Sequence, residues 1–154
     1  MNIGKYTTLE KVIKSETAIR HGIDNKPDAH QLHAIKLLAE NIYDPLCNHF
    51  QKTIPISSWL RTSVLNSIIG GARNSQHVKG EAVDLDTDGD GTPITNSAVF
   101  YWIYINLDFH QLIWEFGNDQ NPAWVHVSIN TNGKNAKQVL KIRSRASGYE
   151  TFQP

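Results

Sequence analysis

Two short segments, Ala82-Val83-Asp84-Leu85-Asp86 and Trp124-Val125-His126-Val127-Ser128, alternate apolar side chains with polar or small ones. A period of two marks a half-buried strand, in which successive side chains point to opposite faces of a sheet. A fold that buries Val83, Leu85, Val125 and Val127 must therefore present Asp84 and His126 on the other face, on rigid elements above the core. The same alternation sets Trp124 and Ser128 beside His126. His77 stands seven residues before Asp84, with Gly80 between them, which reads as a loop that turns before it enters the strand. Two imidazoles and a carboxylate form the ligand set of a catalytic zinc site that keeps its fourth position for water. A histidine between valines is commonly an ordinary core or surface residue. The weight rests on the three residues together, and together they point to a metallohydrolase.

The rest of the chain reads as α+β, with helices packed on a mostly antiparallel sheet. Thr7-Thr8-Leu9-Glu10 has the form of a capping box opening a short helix. Asp28 with Gln31 caps a longer helix, whose Leu32, Ile35, Leu38, Ala39 and Ile42 recur at helical spacing and form one apolar stripe. Ile54 to Ser58 reads as an edge strand because of Pro55. Thr62 opens a helix that Gly70-Gly71 stops, and residues 97–107 form an aromatic-rich helix. Strands follow at 111–116, 123–129 and 138–142. A chain of 154 residues buries one good core, so the expectation is a single domain over residues 1–154, with its core at about 7–142 and a polar tail at 143–154 that frays.

At the motif residues the chain resembles the zinc D-Ala-D-Ala carboxypeptidase family, whose relatives include VanX-type dipeptidases, phage L-alanyl-D-glutamate endopeptidases and the hedgehog signalling domain. The family signature appears here as Ser75 and His77, then Gly80, Ala82 and Asp84, then His126. The likeness extends from about Thr8 to about Ile142 and is strongest to small, single-domain phage or prophage members. Ser58-Trp59-Leu60-Arg61 stands where the family usually reads serine-glycine-tyrosine-arginine; the arginine is kept. The resemblance implies a hedgehog-like fold, one zinc ion per chain, and hydrolysis of peptidoglycan peptides. The reaction is that of a D-Ala-D-Ala carboxypeptidase or of an endolysin-type L-alanyl-D-glutamate endopeptidase. Hedgehog-like relatives also allow a non-catalytic, zinc-stabilised binding domain.

Hydrolysis through zinc-activated water also needs a carboxylate base. In two branches of the resembling family an acid lies three residues before the last histidine, where this chain has Ala123. Glu115 is the first choice, since it ends a strand that can pair with the His126 strand and alternation puts it with Ile113. Asp119 is the runner-up. Arg61 is a candidate for holding a substrate carboxylate or the developing oxyanion, while Ser75, Gln76 and Trp124 are candidate substrate contacts. Asp86-Thr87-Asp88-Gly89-Asp90-Gly91 reproduces the first half of an EF-hand loop, but its twelfth position is Ser97, where a bidentate glutamate belongs. Asp86, Asp88 and Asp90 thus fit either a calcium site or an acidic turn.

Composition narrows the partners. The formal net charge is zero, so no general basic field draws nucleic acid. The single cysteine, Cys47, excludes an internal disulfide and reads as a buried residue. Met1 to Tyr6 lacks the apolar run of a signal peptide, and no segment is long and apolar enough to span a membrane. The expectation is a monomer that accumulates in the cytoplasm and meets the cell wall after another agent releases it.

Overall fold

The computed structural model describes residues 1–154. Six strands form one sheet in the order β1-β2-β4-β3-β5-β6, with β1 at Ile56–Ser58, β2 at Ala82–Leu85, β3 at Gln111–Glu115, β4 at Trp124–Ser128, β5 at Gln138–Ile142 and β6 at Tyr149–Thr151. Every neighbouring pair is antiparallel except β3 with β5. The helices are α1 (Leu9–Val12), α2 (Glu16–Arg20), α3 (Ala29–Leu38), α4 (Asp44–Phe50), α5 (Ser63–Ile68) and α6 (Asn96–Asn106). The α+β reading with a mostly antiparallel sheet therefore holds.

Alternation in the strands divides the sheet as the sequence requires. Val83, Leu85, Leu112, Trp114, Val125 and Val127 are buried in the core with Ile35, Leu38, Ile42, Leu46, Phe100 and Ile103 from the helices. The main packing helix starts with a true capping box, in which Asp28 accepts from the Gln31 backbone and the Gln31 side chain accepts from Asp28. It continues past Leu38 through a π-helical turn at Ala39–Tyr43 into α4. At α1 the expected capping box does not form: Thr8 is the N-cap and its side chain makes no capping bond.

The C-terminal tail differs most from expectation. Within residues 143–154, β6 pairs with β5 and the Phe152 ring packs into the core. That ring lies 4.8 Å from Phe100 and stacks on Trp114 at 5.7 Å between centroids. An aromatic side chain buries enough apolar surface to hold a short polar strand in place.

Candidate active site

Three elements carry the predicted ligands to one point. Asp84 on β2 is the register partner of His126 on β4, so both leave the same face side by side. His77 arrives from a 3-10 turn, Gln76–Lys79, whose start is held by the Ser75 hydroxyl accepting from the His77 backbone. Gly80 ends this turn at φ +75°, and a Cβ there would stand 2.8 Å from the Gln31 carbonyl oxygen. Glycine is therefore required both for the left-handed conformation and for the close approach to α3. Gln31 also donates to the Val78 carbonyl, which fastens the turn to that helix.

His77 Nε2 lies 3.2 Å and His126 Nδ1 3.0 Å from the same oxygen, Asp84 Oδ1. In a tetrahedral zinc site with bonds of about 2.0–2.1 Å, neighbouring ligand atoms stand about 3.3 Å apart. Each imidazole nitrogen thus already stands from the carboxylate oxygen at nearly the spacing that a zinc ion imposes, and all three ligand atoms lie within 4.8 Å of one another. No other group of three or more histidine, cysteine or acidic side chains brings its ligand atoms together in this way.

Neighbouring groups orient these ligands. His77 Nδ1 lies 2.7 Å from the Trp59 carbonyl oxygen. A carbonyl only accepts, so Nδ1 carries the proton and Nε2 keeps its lone pair for a metal. His126 Nε2 faces Gln76 Oε1 at 3.4 Å. Asp84 Oδ2 accepts from Arg61 Nη2 at 3.1 Å, and Arg61 Nε donates to the Ser58 hydroxyl at 2.9 Å. Burial alone would raise the Asp84 carboxyl, but the imidazoles of His77 and His126 hold it far below the usual carboxylate range. A ligand that stays ionised at any working pH is suited to a cation.

Glu115 lies on the same face as His126, one register step along, opposite Trp124. It is 7 % exposed. No hydrogen bond holds its carboxyl; burial, opposed by His126 and Arg61 and reinforced by Asp84, pushes it up to about 7. The register condition set by the sequence is thus met.

The other candidates sort clearly. Arg61, Ser75, Gln76, Glu115 and Trp124 all line one cleft of about 470 Å³ with the three ligands. Arg61 is already committed to Asp84, so its charge first serves the ligand. Asp119 is drawn away by Lys141 at 2.6 Å and Arg143 at 2.7 Å and does not line the cleft. The acidic loop is a hydrogen-bonded turn. Asp86 accepts from the Asp88 backbone and from Asn96, and Asp90 accepts from Thr92 and pairs with Lys52. Its carboxylates do not converge, so the calcium reading falls and the acidic turn remains.

Some cleft residues carry no sequence motif. Leu140 and Ile142 of β5 and Tyr149 of β6 share the site face, and Arg145 reaches the cleft from the turn between these strands. The alternation Leu140-Lys141-Ile142 is a usable signal for β5. The Trp59 carbonyl behind His77 has none, since a backbone group leaves no mark on residue type.

An imidazole, a carboxylate and a second imidazole that could hold one metal ion, open to a cleft beside a buried glutamate, are the arrangement that a single-metal hydrolytic centre requires. The fold and the motif order narrow that class further. A family model described as peptidase M15 matches residues 5–128, and the chain belongs to this zinc-dependent metallopeptidase family. A comparison with curated proteins finds no match. No helix is long and apolar enough to cross a membrane.

Proposed function

We propose that the chain is a zinc peptidase that hydrolyses peptides of bacterial peptidoglycan, as a D-Ala-D-Ala carboxypeptidase or an L-alanyl-D-glutamate endopeptidase. The observation that carries this reading is Glu115, a buried carboxyl without a hydrogen bond, facing the ligand cluster with its pKa raised to about 7. A structural zinc site needs four ligands and no base, whereas a hydrolytic one needs three ligands and a proton acceptor.

His77, Asp84 and His126 would hold the metal. A zinc ion bound there supplies an acidified water and a Lewis acid for the scissile carbonyl. Glu115 is placed to take a proton from the attacking water and to return it to the leaving amine. Arg61 acts as a positioning residue, keeping Asp84 Oδ2 neutralised so that Oδ1 faces the imidazoles. Gln76 and Trp124 face the cleft as substrate contacts, while the Ser75 hydroxyl shapes the turn that carries His77.

The test is incubation of the purified protein with peptidoglycan, followed by mass spectrometry of the released fragments. New carboxyl ends at D-alanine or L-alanine support the reading and name the bond. A zinc-loaded protein that releases neither product would instead be a zinc-stabilised binding domain.

A further inference from the structure

The proposed function leaves the C-terminal hairpin without a role. This hairpin lies beyond residue 128, where the family match ends. It is nevertheless built into the site. Tyr149 of β6 is the register partner of Ile142, which pairs in turn with Glu115, so Tyr149 and Glu115 stand on the same face two strands apart. Burial raises the Tyr149 phenol, and the charges of Glu115 and Asp84 raise it further, as expected for a side chain that looks into the cleft.

The turn between β5 and β6 is held on both sides. Ser144 and Ser147 bond reciprocally through their backbone N–H groups and hydroxyls. Arg143 is paired with Asp119 and Glu150, and Phe152 anchors the returning strand in the core. Arg145, at the tip of this braced turn, lines the cleft and forms no ion pair. The only other cationic side chain of the cleft, apart from the histidines, is Arg61, whose charge is engaged by Asp84. An arginine at the edge of a substrate cleft, exposed and with no carboxylate partner of its own, is free to bind one, since its planar fork matches a carboxylate in geometry and charge.

We propose that Arg145 is the anchor for a free carboxylate of the peptide substrate, so that the cleft selects acidic peptides over their amidated forms. The inference rests on the peptidase reading for the kind of peptide, but not for the binding itself. Loss of a charge-assisted hydrogen-bond pair is expected to weaken binding about ten- to a hundredfold.

The experiment uses zinc-loaded Glu115→Gln protein, which binds without cutting, and follows tryptophan fluorescence on addition of L-alanyl-γ-D-glutamyl-L-lysine. The same peptide is then tested with its carboxylates converted to carboxamides one at a time. One amidation is expected to raise Kd tenfold or more. In an added Arg145→Ala variant that preference collapses to about one, and Arg145→Lys restores part of it. Wild-type Arg145 protein that binds all forms alike would overturn the proposal, as would a preference that survives Arg145→Ala. If the enzyme with Glu115 intact cuts no wall peptide while the Arg145-dependent preference stands, the peptidase reading fails and the anchor does not.

Discussion

Replacing Glu115 with glutamine should stabilise the metal-free protein and slow the zinc-loaded one, and the size of the gain in stability follows from the site. The carboxyl ionises at its ordinary value of 4.5 in the unfolded chain and at about 7 in the folded one. Below 4.5 both states hold the proton and the carboxyl carries no penalty. Between 4.5 and 7 the unfolded state releases its proton first, so the folded state loses stability as pH rises; above 7 the loss levels off. At about 1.36 kcal/mol per tenfold change, the full penalty is about 3 kcal/mol at pH 8 and about 1 kcal/mol at pH 5. Glutamine keeps the shape and cannot ionise. Urea unfolding of both proteins in the presence of a chelator should show Glu115→Gln gaining about 2 kcal/mol more at pH 8 than at pH 5. In thermal melts at pH 8 the gain should be about 6–12 °C. The chelator matters because a cation at the neighbouring ligands would draw the Glu115 pKa down. In the zinc-loaded protein the same change should lower kcat by about a hundredfold or more. A stability difference that does not vary with pH would refute the buried, raised carboxyl. Turnover within tenfold of wild type would refute its role as base.

Three other substitutions separate the remaining roles. Arg61→Ala should weaken zinc affinity about 10–100-fold by freeing Asp84 Oδ2, as measured by competition with a chromophoric chelator. Phe152→Ala should cost about 3 kcal/mol in urea unfolding and should increase hydrogen exchange across β6, because the ring fastens that strand to Trp114. Asp119→Ala should lower peptidase turnover by less than tenfold, far less than Glu115→Gln, since Asp119 is paired with Lys141 and Arg143 outside the cleft.

What was legible in the sequence followed from local periodicity. Strands β2 and β4 show their faces directly, because a period of two admits only one burial of Val83, Leu85, Val125 and Val127. That choice presented Asp84 and His126 together and made Glu115 depend on a single register, which the β3–β4 pairing satisfies. What escaped the sequence depends on distant partners. The commitment of Arg61 to Asp84 spans 23 residues, and nothing in the local pattern distinguishes an arginine that will hold a substrate from one that will hold a ligand. Asp119 was a credible base until Lys141 and Arg143 reached it from β5 and the turn beyond. Tyr149-Glu150-Thr151 reads as a polar tail because β6 is an exposed edge strand; only the burial of Phe152 explains why it is ordered. Half of an EF-hand pattern was matched without its function, since the Asp86 and Asp90 carboxylates turn back to neighbouring hydrogen-bond donors.

The most direct test of the account is the zinc content of protein purified without added metal, measured for the wild type and for Asp84→Ala. The account predicts about one zinc per wild-type chain and little or none in Asp84→Ala, because the carboxylate is the ligand on which both imidazoles converge. A folded wild-type protein that takes up no zinc, or an Asp84→Ala variant that binds it as well as the wild type, would contradict the His77, Asp84 and His126 centre.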